Sequence, residues 1–239
     1  MEGLALAELA ERIGRPHEVT KPRPIYERYD QYFATLVDRP LTLLELGVYT
    51  GESLKVFSSF FKRGTVIGVD INDHGIDLSG YPNAIAVQAD QRSATQLDAI
   101  CETYAPSGLD IVIDDASHYG AWTWQSYRIL FPHLKAGALY VIEDWATGYW
   151  DDWVDGRSYQ EFQAGGDEDP PKRLPSHDYG MVGLVKRLVD EVAWQGIRPS
   201  SVAPFTRPRR LEYMHVHPEF VVLRKALRAE NRGSSEGSM

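Results

Sequence analysis

Five short runs of β-branched and aliphatic residues recur along this chain, and each is followed at once by a carboxylate. TLLE closes on Glu45, TVIGVD on Asp70, AIAVQAD on Asp90, IVIDD on Asp114 and Asp115, and ALYVIED on Glu143 and Asp144. Helical segments near Gly51–Phe61, Ala94–Tyr104 and Trp122–Leu134 lie between runs, and crossovers of that length join parallel strands. The pattern predicts strands at Thr42–Glu45, Thr65–Val69, Ala84–Gln88, Ile111–Ile113 and Ala138–Ile142 in an α/β sheet. Ligands gather beyond the carboxyl ends of such strands. Acids at successive strand ends are therefore expected to line one edge, where unpaired carboxylates are costly and packing alone does not account for them.

The chain then changes character. Leu211–Val216 and Phe220–Arg224 are β runs separated only by His217, Pro218 and Glu219, a hairpin spacing. A mostly parallel seven-stranded sheet finished by an antiparallel hairpin, with helices on both faces, resembles the class I methyltransferase (Rossmann-like) fold. Met181, Leu184, Val185, Leu188, Val189 and Val192 follow helical spacing, with Ser176 or Asp178 as a cap. Leu4, Leu6, Leu9, Ala10 and Ile13 suggest a short amphipathic helix stopped by Gly14. At 239 residues the expectation is one domain over 1–225. It has a helical N-terminal part (1–36), an insertion at 145–176 that suits a substrate lid, and a disordered tail at 226–239.

Charge and composition narrow the partners. With 34 acids against 25 lysines and arginines, the net charge of −9 argues against nucleic acid, which needs clustered cations. No apolar run approaches the ~20 residues that span a bilayer, and the early acids of MEGLALAELAERIG do not suit a signal peptide. The single cysteine, Cys101, precludes an internal disulfide and is expected to be a buried structural thiol. A cytoplasmic location is the expectation.

In LLELGVYTGES, Glu45 ends a strand and Gly47, Thr50, Gly51 and Ser53 shape the turn into a helix. Such a turn lets backbone approach a ligand closely and offers free N–H groups. Asp70, about twenty residues beyond a glycine turn, suits ribose hydroxyls, and Asp90 with Gln91 occupies the next strand end. A pyrophosphate needs G-x-G-x-x-G, which ELGVYTG lacks, and Glu45 would repel it. S-adenosylmethionine, cationic and free of phosphate, is therefore preferred to NAD. Asp114 completes the cofactor side.

Asp115, Glu143 and Asp144 are expected to converge from neighbouring strands. Three close carboxylates raise one another's pKa unless a cation lies between them, and oxygen ligands select a hard ion such as Mg²⁺ over zinc. Asp115 or Asp144 alone would read as a helix cap. His118 stands three residues after Asp115, where an imidazole can take a proton near neutral pH.

These residues resemble the metal-dependent sugar O-methyltransferases of the mycinamicin and demethylmacrocin type. The resemblance rests on DASH at Asp115–His118, FPHLKAGALYVIEDWATGYW at Phe131–Trp150 and MVGLVKRLVD at Met181–Asp190, within about residues 20–225. It implies Asp115, Glu143 and Asp144 as Mg²⁺ ligands, His118 as general base, Asp70 as the ribose acid and Asp90 near adenine. It also implies that PIYERYDQY, with Tyr26 and Tyr29, closes over the methionine end of the cofactor. Ala116 and Ala138 stand where the family has glycine, and the macrolide enzymes' extra N-terminal domain is not expected to accompany this one. The smaller form is similar to actinobacterial enzymes of polymethylated polysaccharides, including mannoside 1-O-methylation.

The expected chemistry is methyl transfer to a hydroxyl of a saccharide or glycoside, with vicinal oxygens chelated by the metal. Trp145, Tyr149 and Trp150 offer flat faces to a sugar; Trp153 equally suits a small satellite core. Catechol-type O-methylation and a non-catalytic cofactor-binding module remain alternatives, and helices outside the core such as Met1–Ile13 could support a homodimer.

Overall fold

The computed structural model describes residues 5–14, 21–156, 180–193 and 210–227. The apolar runs become seven strands: β1 (Thr42–Leu46), β2 (Thr65–Asp70), β3 (Ala84–Gln88), β4 (Leu109–Asp114), β5 (Leu134–Glu143), β6 (Leu211–Val216) and β7 (Phe220–Lys225). They form one sheet in the order β3-β2-β1-β4-β5-β7-β6. β1 to β5 pair in parallel, and β7 enters antiparallel between β5 and β6. This is the class I methyltransferase arrangement that the sequence pattern predicts, with its crossover directions changing between β1 and β4.

Residues alternate between two cores because side chains on a strand point to opposite faces. One core takes Leu44, Leu46, Val112, Tyr140 and Ile142; the other takes Leu43, Ile111, Ile113, Leu139 and Val141. The first lies under α4 (Ala94–Tyr104), α5 (Gly120–Leu130) and α6 (Gly180–Val192); the second under α1 (Leu6–Ile13), α2 (Arg23–Phe33) and α3 (Glu52–Phe60). Gly14 does end α1, while Leu4 lies outside the described residues. Cys101 is buried in the first core, and burial pushes its thiol up to about 11.

One predicted boundary is corrected. The helix expected over Trp122–Leu134 stops at Leu130, a 3₁₀ turn covers Phe131–His133, and Leu134 already opens β5. Pro132 has no N–H to continue an α-helical ladder, so the chain tightens and leaves. The caps expected at Ser176 or Asp178, most of the 145–176 insertion and nearly all of the tail lie outside the described residues. No helix among the described residues is long and apolar enough to cross a membrane.

A buried aspartate fixes the side of the sheet that matters. Asp155 Oδ2 accepts from the backbone N–H groups of Gly120 at 2.7 Å and Met181 at 2.8 Å, joining the first turns of α5 and α6. A carboxylate is favourable at a helix N-terminus, and here one serves two. The junction leaves no room for a side chain: a Cβ on Gly120 would lie 2.2 Å from the Gly180 carbonyl carbon. Asp155→Ala removes the shared cap and leaves two buried donors unpaired, and is expected to lower stability by about 1–3 kcal/mol. Urea unfolding of both proteins measures it; an unchanged midpoint would remove Asp155 from this role.

Candidate active site

The carboxylates at the strand ends sort by the same alternation that built the cores. Glu143 follows Leu139 and Val141 onto the α2 face, and Asp144 turns the other way with φ 51°. Asp114 follows Val112 into the α5 core, where Ser126 and Tyr140 donate to its Oδ2, the latter at 3.0 Å. Burial pushes its pKa up to about 6, opposed by those two donors. Asp115, just past the strand, hydrogen-bonds through its N–H to the Leu46 carbonyl at 2.9 Å.

On the α2 face a residue without any sequence signal organises the acids. Lys21 is 4% exposed, and its ammonium contacts Asp115, lies 2.8 Å from Glu143 and stands 3.5 Å from Glu45. Burial works to lower the Lys21 pKa, but Asp115, Glu143 and Glu45 together hold it well above its ordinary value. Glu45, pushed up to about 8 by burial against the pull of Lys21, also accepts from Ser53 Oγ at 2.8 Å. Glu143, raised by burial and by Asp115, accepts from Tyr29 Oη at 2.5 Å. Tyr29 is clamped between Phe33 and Phe220, with ring centroids at 4.9 and 4.8 Å. Tyr26 is fully buried beside Phe57. Tyr26, Tyr29, Glu45, Ser53 and Asp114 are thus interior groups, with Ser53, Tyr29 and Asp114 bonded to other protein side chains.

On the open side, His118 Nε2 lies 3.6 Å from Asp144 Oδ2 and 3.8 Å from Asp115 Oδ1. Its φ of 49° is uncommon for a residue with a side chain. Trp153 Nε1 and Thr147 Oγ1 both donate to the His118 carbonyl, at 3.0 and 3.3 Å, and hold that conformation. Asp144 itself is raised by burial, with His118 opposing. The donor atoms form two groups, Glu45–Asp115–Glu143 around Lys21 and Asp115–His118–Asp144 toward solvent, with Asp115 common to both. The carboxylate oxygens at the open group suit a hard divalent cation. Glu143 stands one residue behind it, engaged with Lys21 and Tyr29.

Beside this pole, beyond the carboxyl ends of β3, β2, β1 and β4, lies a cleft of about 220 Å³. Gly47, Asp70, Asp90 and Gln91 line it, with Ser117 and Trp122. Gly47 (φ 82°) is required, since a Cβ there would fall 2.2 Å from the Asp115 carbonyl oxygen. Burial raises the Asp70 pKa, but N–H donors of Asn72, Tyr49 and Val48 hold it below the ordinary value. Thr50 borders an adjoining cavity with Tyr49 and His74 instead.

Of the aromatic residues, Trp145 donates to the His217 carbonyl at 2.8 Å and meets Tyr149 edge-on, while Trp150 is half exposed. Lys21, Asp155 and Trp122 escaped sequence reasoning, since none sits at a strand end or in a motif and Lys21 and Asp155 meet hydrogen-bond partners 26 to 122 residues away; Thr147 lies inside the Phe131–Trp150 phrase, but nothing there marks its bond to the His118 carbonyl 29 positions away.

No family model matches the chain. Demethylmacrocin O-methyltransferase of Streptomyces fradiae is 32% identical over 210 residues, covering 84% of this chain and 48% of that protein. The 8-demethyl-8-alpha-L-rhamnosyl tetracenomycin-C 2'-O-methyltransferase of Streptomyces olivaceus is 33% identical over 216 residues, covering 87% and 51%. The structure of MycE methyltransferase from the mycinamycin biosynthetic pathway, in complex with Mg, SAH and mycinamycin VI, superposes with a TM-score of 0.70 at 31% identity. That match covers 98% of this chain and 57% of the MycE chain. The chain spans about half the length of the curated relatives it matches. Over the part of them that it spans, the chain is a homologue of the macrolide and sugar O-methyltransferases, with their class I methyltransferase fold.

Proposed function

We propose that this chain transfers a methyl group from S-adenosylmethionine to a hydroxyl of a saccharide or glycoside with the help of a divalent cation such as Mg²⁺. The observation that carries the reading is His118 between Asp115 and Asp144, on the segment whose Ala116 and Ser117 line a cleft shared with Asp70. Asp70 would take the ribose hydroxyls, and Asp115 and Asp144, with Glu143 behind them, would hold the cation. The cofactor supplies an electrophilic methyl, and the cation supplies Lewis acidity that makes a nearby hydroxyl more acidic. His118 Nε2 would accept the proton released as the hydroxyl oxygen attacks the methyl carbon and the sulfur leaves with the bonding pair. Trp145, Tyr149 and Trp150 border this side in sequence and offer aromatic faces to a sugar ring.

Radiolabelled methyl transfer to a panel of glycosides, mannosides included, and to catechols tests the reading. Labelled product is expected with sugars, abolished by EDTA and restored by added Mg²⁺ or Mn²⁺; labelling of catechols alone would overturn the sugar assignment. His118→Ala is expected to slow turnover about 100-fold or more while S-adenosylhomocysteine binding stays intact. Equal turnover at saturating Mg²⁺ would exclude His118 as base. Lys21→Met strands buried carboxylates and is expected to cost about 3–5 kcal/mol of stability, read as a lower thermal midpoint. A midpoint unchanged from that of the parent would show that the lysine is not needed to hold those acids.

A further inference from the structure

Lys21 stands where a bound cation would compete with it. Carboxylate oxygens of Glu45, Asp115 and Glu143 lie within 4.8 Å of one another, and the ammonium sits among them. It has three N–H donors. Two are engaged, by Asp115 Oδ2 and by Glu143 Oε1, the latter at 2.8 Å. Glu143 Oε1 also accepts from Tyr29 Oη at 2.5 Å, so both lone pairs of that oxygen are occupied. A divalent cation draws its oxygens to about 2.0–2.6 Å and repels an ammonium on the same atoms. Lys21 and a cation held by Asp115 and Glu143 therefore exclude one another from those oxygens.

A second acceptor for the ammonium stands close by. Glu45 is fully buried, and its Oε2 accepts from Ser53. Its Oε1 has no hydrogen-bond partner among the described residues and lies 3.5 Å from Lys21 Nζ. Tyr26 Oη, buried and likewise without such a partner, belongs to the same region, since the charges of Lys21 and Glu45 both act on its phenol. A buried carboxylate oxygen that lacks a donor is costly. The lysine stem is four flexible carbons, so rotation of the side chain carries the ammonium toward Glu45 while the backbone before α2 keeps its place. It stays charged in either position, because acids surround it in both.

We propose that Lys21 is a positioning residue with two seats, closing Asp115 and Glu143 when no divalent cation is bound and passing to Glu45 when one is, a role that rests on the cation reading above and deepens it. The acids are then never left together without a counter-charge, which a buried cluster of this kind requires. Glu45 gains the donor that its Oε1 lacks, and Glu143 becomes free to join Asp115 and Asp144.

Mn²⁺ titration without cofactor, followed by the electron paramagnetic resonance of the free ion, tests the proposal, with thermal unfolding checking each fold. Lys21→Met is expected to bind Mn²⁺ about tenfold more tightly than the parent, since no ammonium has to leave the shared oxygens. Glu45→Gln is expected to weaken binding about tenfold in the parent, by removing the charge that receives Lys21. In the Lys21→Met background the same change is expected to alter it less than about twofold. Parent-like affinity in Lys21→Met, or an equal Glu45→Gln loss in both backgrounds, overturns this proposal alone. If Lys21→Met does not fold, reductive methylation with formaldehyde, read at Lys21 by mass spectrometry, decides. Lys21 is expected to stay protected in the parent with or without Mg²⁺, and to be labelled in Glu45→Gln only when Mg²⁺ is present. Labelling of the parent in Mg²⁺ would show that the ammonium leaves for solvent, and protection of Glu45→Gln in Mg²⁺ that it does not move; either result rejects the two seats. A parent protein that binds no Mn²⁺ overturns the proposal together with the cation reading.

Discussion

A buried ammonium among three carboxylates is the interaction on which the site depends. Glu45 comes from β1, Asp115 from the end of β4 and Glu143 from the end of β5, and Lys21 meets all three. Without it these strand ends would gather like charges in a region from which water is largely removed, and the acids would have to protonate or move apart. With it, β1, β4 and β5 are tied to the chain just before α2, and Tyr29 adds a second tie from α2 to Glu143. The cost of the buried charge is met by geometry: each acid also has a neighbour that donates to it or shares the same cation.

The two adjacent acid pairs divide labour because a strand alternates. Asp114 is taken into the α5 core by Ser126 and Tyr140, while Asp115 faces Lys21 and His118. Glu143 is taken under α2, while Asp144, at positive φ, faces His118. One member of each pair therefore anchors and the other presents its oxygen to the open side. The uncommon backbone angles of His118 and Asp144 occur where the chain leaves this alternation, held by hydrogen bonds from Thr147 and Trp153. Such local cost is found where a site must be preorganised.

Much of the fold was legible because its signals are local. Apolar runs of strand length, helical spacing between them and a three-residue hairpin connection are all written in neighbouring residues, and each resulting strand appears within a few positions of its expected span. The helix expected to reach Leu134 ran too far because apolar spacing continues through Phe131, whereas Pro132 ends the hydrogen-bond ladder there. The site was legible only as a set of candidates. Strand-end position brings Gly47, Asp70, Asp90 and Gln91 to the cleft, but it does not separate them from Glu45 and Asp114, which occupy similar sequence positions and point inward.

The sequence by itself determined the succession along the chain and the parallel sense of the central strands, the edge on which the acids fall and the spacing of Asp115 from His118, because these follow from periodicity and chain connectivity. The tertiary structure decided which acid meets which partner. Lys21 reaches Glu143 across 122 positions, Asp155 caps two helices that begin far apart in the chain, and Arg92 pairs with Asp90 while its guanidinium lies over the Trp122 ring. Those choices depend on the face a side chain takes and on what packs against it, and neither is fixed until the helices have docked on the sheet.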